Sequence, residues 1–288
     1  FNLFQSNKLD MATLSGQQVK NEKNNSKLVV RKSSRLNYLE FNQKKVKLLA
    51  NKKIRQAMSL TLNRKQLVND VLGDGSVTPK GFVTTGLATD PTTGKDFATE
   101  NTVKSSVTQD NAKAKKLWKE GLEETGKKSV TLTLTHDDTD QMKALAEYVQ
   151  GQLEKELPGL KVQSVTVPYK TRISRELAGN FQLVISAWQA DFADPVSDLG
   201  IMTSTNDYNF GKWTNKSFDS AINTANSTTS TKKRWQALST AAKTLGTDQG
   251  VAPLSQNAVA QMVNPKLKGL VYNTAGINYN FKSAYMAK

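Results

Sequence analysis

The sequence predicts an α/β fold in which a mixed sheet is flanked by helices, and three observations carry that prediction. Residues 130–188 run strand–helix–strand–helix–strand, with the apolar period switching between two and about 3.6. The breaks between these segments hold turn residues, Pro158-Gly159 above all. With 288 residues, 37% hydrophobic and 23% charged, the chain has length for a sizeable core under a polar surface, as one large domain or two modest ones.

Each element has its own signal. Residues 1–50 look extended and irregular, with Leu28-Val29-Val30 and residues 36–41 as short strands separated by a basic turn. A helical stretch covers 51–72: Ile54, Ala57 and Met58 share one face, and after Asn63 as N-cap Leu67, Val68, Val71 and Leu72 repeat the spacing. Gly73-Asp74-Gly75 ends it. Residues 76–108 are rich in Thr, Gly, Pro and Asp and read as a long loop. Asp110 or Asn111 opens a helix with Ala114, Leu117, Trp118 and Leu122 inward, closing near Gly126. Residues 130–135 alternate as a strand, and 139–157 carry a helical stripe from Met142 to Leu157. A strand at 160–167, a short helix at 170–178 and an apolar strand at 181–188 follow. A last helix spans 231–245, a short strand 251–254, and the weakly alternating tail, 266–285, could return to a different sheet.

Composition narrows the function. No Cys is present, which excludes disulfides and thiolate chemistry, and the single histidine, His136, excludes a multi-His metal centre. No apolar run approaches the ~18 residues of a membrane helix. Walker, G-x-S-x-G and G-x-G-x-x-G patterns are absent, and nothing calls for a cofactor, a metal or a catalytic residue. The net charge of +15 is uneven: residues 1–65 hold 15 Lys and Arg against Asp10, Glu22 and Glu40, so this segment carries +12 and the rest +3. Without an aromatic-basic recognition motif this reads as a solvated basic face rather than a nucleic-acid surface. His136-Asp137-Asp138, at a strand-to-helix junction, reads as helix capping rather than a metal site, and Arg55 as a surface or structural ion-pair residue. The chain begins at Phe1 with no leader pattern, which suggests processing or an internal piece of something longer.

Ligands of open α/β sheets bind beyond the carboxyl ends of the strands. At that end of the third strand stands Trp188-Gln189-Ala190-Asp191-Phe192-Ala193-Asp194-Pro195. An indole and a carboxylate three residues apart can hold a cation. Asp191 and Asp194 can equally cap the next turn, with Trp188 as core, and the spacing alone leaves both readings open.

The same segment, followed by Asn209-Phe210 and by 213–219 (Trp-Thr-Asn-Lys-Ser-Phe-Asp), resembles the oligopeptide-binding proteins of ABC importers, the family 5 extracellular solute-binding proteins. Residues 51–60, 63–65 and 71–75, the 38–42 stretch (Tyr-Leu-Glu-Phe-Asn) and the helix opening at Asp110 resemble family stretches in the family's order, with Asn63 where an Asp is usual. The resemblance implies a periplasmic-binding-protein-like lobe of the class II, or cluster C, type, with strands returning to a first lobe that this stretch lacks. It implies the tail of that first lobe and a hinge strand at 1–42, the second α/β lobe at 43–255, and a return hinge with strands at 256–288. It implies that Asp191 pairs with a peptide's α-ammonium beside Trp188, with Gln189, Ala190, Asn209 and Phe210 as further ligand-binding residues. The implied partners are short peptides and the permease and ATPase subunits of an importer, with no nucleic acid, and with membrane contact only through a lipid anchor outside this stretch. The implied protein is a monomer, not an enzyme, at the extracellular face of the bacterial membrane or in the periplasm. Alternatives are the same fold holding another solute or signalling peptide, a basic adhesin or polyanion-binding surface protein using residues 1–65, and a hydrolase using Asp191 and Asp194.

Overall fold

A computed structural model describes residues 1–288. Six strands, β1 (Met11–Leu14), β2 (Leu28–Phe41), β3 (Val130–Asp137), β4 (Leu160–Val167), β5 (Leu183–Gln189) and β6 (Val251–Val263), form one sheet in the order β1-β6-β2-β5-β3-β4. β3 runs parallel to β4 and β5, and the remaining pairs are antiparallel. Seven helices matter below: α1 (Lys52–Leu60), α2 (Asn111–Glu124), α3 (Asp140–Glu156), α4 (Tyr169–Leu177), α5 (Pro195–Leu199), α6 (Lys216–Ser227) and α7 (Thr231–Asp248). None is long and apolar enough to cross a membrane.

The α/β unit follows from connection geometry. The chain leaves β3, crosses by α3 to β4, then returns by α4 past β3 to β5. Moving in opposite directions along the sheet, two right-handed crossovers must lie on opposite faces. On the α3 face, Leu39, Phe41, Leu132, Leu134, Leu183 and Ile185 pack under α1, α2 and α3 in the larger core. On the other face, Leu36 and Tyr38 pack with α6, α7 and the 82–97 loop in a second core. Each large aliphatic side chain so buried contributes about 1.5–3 kcal/mol. The mixed sheet flanked by helices is the architecture the sequence predicts.

Three expectations change. β2 is one continuous strand rather than two around a basic turn, with a register shift between Lys32 and Leu36. β6 extends past residue 254 to Val263 because it pairs along the whole of β2 and then with β1. The helical stretch at 51–72 breaks after α1: Asn63 caps a new turn, which ends as a π-helix at Leu67–Leu72 before left-handed Gly73. The break lets Arg64, 3% exposed, donate to the carbonyls of Ser59, Leu62 and Pro253, and burial pushes its guanidinium down to about 9. The tail forms two small ribbons outside the main sheet, β7 (Leu267–Lys268) with β10 (Tyr285–Met286) and β8 (Val271–Tyr272) with β9 (Tyr279–Asn280).

Arg55 is a buried structural ion pair. It is 2% exposed, bonds Asp248 Oδ2 at 3.1 Å and donates to four carbonyls, those of Leu49, Ala50, Asp248 and Gln249. His136 is equally committed: its ring nitrogens lie 2.8 Å from the Asp137 carbonyl and 2.8 Å from Ser164 Oγ. The cap of α3 is Thr139, not an aspartate, because Asp137 is still strand and turns its carboxylate to Arg172.

Candidate functional site at the carboxyl end of β5

The site is built where β5 runs out. Ala190 is fully buried, and its carbonyl accepts the Gly276 amide at 2.9 Å. Gln189 reaches the same tail segment, donating to the Gly276 carbonyl at 2.8 Å and Asn278 Oδ1 at 3.1 Å. Gly276 has φ +66, and a Cβ there would stand 2.9 Å from the Asp191 carbonyl oxygen, so the crossing requires glycine. Gln189 and Ala190 thus tie the tail across the strand end. Gln189 does so through its side chain and Ala190 through its backbone carbonyl, and together they hold the frame of the site.

Trp188 donates its indole N–H to the Ser197 carbonyl at 2.9 Å, and its ring lies 5.2 Å from that of Tyr208. The Asp191 amide donates to Ser197 Oγ at 2.8 Å, while its carboxylate is exposed and receives no hydrogen bond or ion pair from the protein. Asp194 behaves differently. It caps α5 through the Val196 amide and accepts both arms of Arg234, at 2.7 and 3.0 Å. The two aspartates that spacing could not separate therefore differ: Asp194 is the cap, and Asp191 is left to face outward. One turn on, Asp198 is 2% exposed, and burial pushes its carboxyl well above the usual range, with nearby Asp191 adding in the same direction.

Trp188 and Asp191 open onto a cavity of about 630 Å³ walled by the 200–208 loop and α6. Asn209 and Phe210 do not line it. Asn209 is fully buried and closes a turn by donating to the Met202, Thr203 and Trp213 carbonyls and accepting the Trp213 amide. Phe210 packs with Phe181 and Val184 in a small apolar cluster. The cavity instead takes Tyr208 from the loop, and Asp219, Asn223 and Asn226 from α6. These three are spaced i, i+4, i+7, along the edge of the buried stripe of Phe218, Ala221, Ile222 and Ala225, and Ile222 lines the cavity with them. A helical reading of 216–227 after Asn215, whose side chain caps it, would have found them.

A family model described as bacterial extracellular solute-binding proteins, family 5 Middle, matches residues 1–210. The chain belongs to this family. The dipeptide-binding protein of Lactococcus lactis subsp. cremoris is 34% identical to it over 297 residues, 99% of this chain and 53% of that protein. Among solved structures, the pheromone receptor PrgZ superposes with a TM-score of 0.88 at 33% identity, over 100% of this chain and 55% of that one. The peptide-bound OppA of Listeria monocytogenes superposes with a TM-score of 0.88 at 31% identity, again over 100% and 55%. The chain thus spans about half the length of each of these three relatives.

Proposed function

We propose that this chain forms the second lobe, with its connecting strands, of an extracellular peptide-binding protein that delivers short peptides to the permease and ATPase of an ABC importer. The observation that carries the proposal is the Asp191 carboxylate, exposed and without a protein partner at the carboxyl end of β5, beside Trp188 and the mouth of the cavity. Such a group can take a peptide α-ammonium as its counter-charge, with the indole as an adjoining wall. Membership of family 5 supports the reading. Gln189 and Ala190 support the strand end, while Asn209 and Phe210, which we retain as ligand-site candidates, act from behind the wall by fixing the loop that carries Tyr208.

In this proposal residues 1–42 and 256–288 belong to the first lobe and its hinges, and 43–255 to the second lobe. The register shift in β2 and the long pairing of β2 with β6 support hinges there, since a bulge concentrates bending. Closure of two lobes would bury the peptide. The protein binds its ligand without turnover, works as a monomer, and is held at the outer membrane face by a lipid anchor or lies in the periplasm.

Calorimetric titration of the native full-length protein with short peptides tests this. N-acetylation of the peptide, or Asp191→Ala, is expected to weaken binding by about 10- to 100-fold, the loss of one charge-assisted hydrogen-bonded pair. Equal affinity for free and acetylated peptides would overturn the assignment of Asp191.

A further inference from the structure

The cavity beside Asp191 carries a charge pattern opposite to that of the molecule around it. The chain has 40 basic residues against 25 acidic ones. Yet none of the 16 residues lining the cavity is Lys, Arg or His, and two, Asp191 and Asp219, are carboxylates. Asp219 is held in place by the Ser204 amide, which donates to Oδ1 at 3.0 Å, and no protein group bonds Oδ2. Asn223 and Asn226 stand one and two turns along α6 with side-chain amides that make no bond inside the protein. Trp188 and Tyr208, whose rings are in contact, add aromatic surface to the same lining.

We infer that this cavity selects peptides whose first residue carries a basic side chain, and that Asp219 sets the preference. The inference rests on the seating of the peptide ammonium at Asp191, since that fixes the first side chain beside the cavity. A cationic side chain would meet a carboxylate oxygen, amide carbonyls and aromatic faces, each favourable to positive charge. An acidic one would meet Asp219 with no cation to offset it. A volume of about 630 Å³ accommodates the length of a lysine or arginine with accompanying water. The preference is local, because the net charge of +15 attracts acidic peptides from a distance.

The test is calorimetric titration of the native full-length protein with the tripeptides Lys-Ala-Ala, Ala-Ala-Ala and Glu-Ala-Ala, at one ionic strength. We expect the lysine-first peptide to bind at least about tenfold tighter than the glutamate-first peptide, with the alanine-first peptide between them. Asp219→Asn, which keeps the oxygen that the Ser204 amide needs, is expected to bring the ratio below about threefold. Asn223→Lys, at an exposed position of α6, is expected to reverse the order. A wild-type ratio near one, or a ratio that Asp219→Asn leaves unchanged in a protein of unaltered Tm, overturns the inference. N-acetylated Lys-Ala-Ala separates the two readings. If acetylation abolishes binding while the lysine-to-glutamate ratio is one, Asp191 stands and the selectivity falls. If the acetylated peptide binds as well as the free one, both fall.

Discussion

Arg172→Met is expected to lower the stability of the protein by about 3–5 kcal/mol, the characteristic loss when one partner of a buried ion pair is removed. Arg172 lies on α4, 2% exposed in its side chain, against the sheet face that holds β3 and β5. Its Nη1 donates to both oxygens of Glu176, at 2.7 and 2.6 Å, and approaches Ser186 Oγ at 3.3 Å, while its Nε donates to Asp137 at 3.2 Å. Glu176 is wholly enclosed and Asp137 nearly so. Deleting the guanidinium strands two carboxylates in a medium that penalises charge, and Glu40 lies close enough to feel the same change. Arg172→Lys keeps the charge but not the fork, so it falls between wild type and Arg172→Met. Adding Glu176→Leu to Arg172→Met should restore part of the loss, because a pair replaced by apolar groups costs less than a pair broken. Urea unfolding provides the measurement, and a loss under about 1 kcal/mol would show that water reaches the cluster.

Glu40→Gln is expected to change how stability depends on pH. Glu40 is 1% exposed on β2; Oε1 accepts the Gly211 amide at 2.7 Å and Oε2 has no partner. Burial pushes its carboxyl up to about 8, with Glu176 adding to the rise and Arg172 and Lys212 opposing it. The unfolded group titrates near 4.5, so between these values the folded protein holds a proton that the unfolded chain has released. Stability from this group is therefore complete below about pH 4.5, falls as pH rises toward 8, and is flat above. At about 1.4 kcal/mol per unit the fall is on the order of 5 kcal/mol. Gln keeps the acceptor for Gly211 and carries no charge, so the variant should show a flatter profile and exceed wild type above pH 8. Urea titrations at pH 5.5 and 8.5 compare the two, and equal slopes would mean that Glu40 is ionised throughout.

Most of the sheet could be read from the sequence because its signals are local. Alternation in 130–135, the stripe ending at Pro158-Gly159 and the run at 160–167 each specify an element through neighbours in the chain, and the structure has β3, α3 and β4 there. β6 was harder to read. Its Ser255, Gln256 and Asn257 look like a strand ending, yet Ser255 and Asn257 bond Asn37, and Gln256 bonds Ser33 and Thr85. Polar residues inside a strand make sense only once their distant partners are known. The basic pair Arg31-Lys32 misleads for the same reason, since the guanidinium of Arg31 stacks on Tyr272 from the far end of the chain. At the candidate site, Trp188 and Asp191 could be placed at the carboxyl end of β5 because the apolar run at 181–188 marks that strand. The distinction between Asp191 and Asp194 could not, because it depends on Arg234, which stands 40 positions away.

The pairing of β2 with β6 also governs how the molecule comes together during synthesis. Asn37 and its partner Ser255 are separated by 218 positions. Until the ribosome has delivered β6, β2 keeps one edge unpaired, and the chain behind it holds a helix-rich unit with an incomplete sheet. Closing so long a loop costs about 2 kcal/mol more entropy than closing a hairpin of ~20 residues, and the return comes only when the last strand docks. Docking of β6 therefore acts as the closing step for this sheet, and β2 cannot complete its pairing before residues 251–263 have been made.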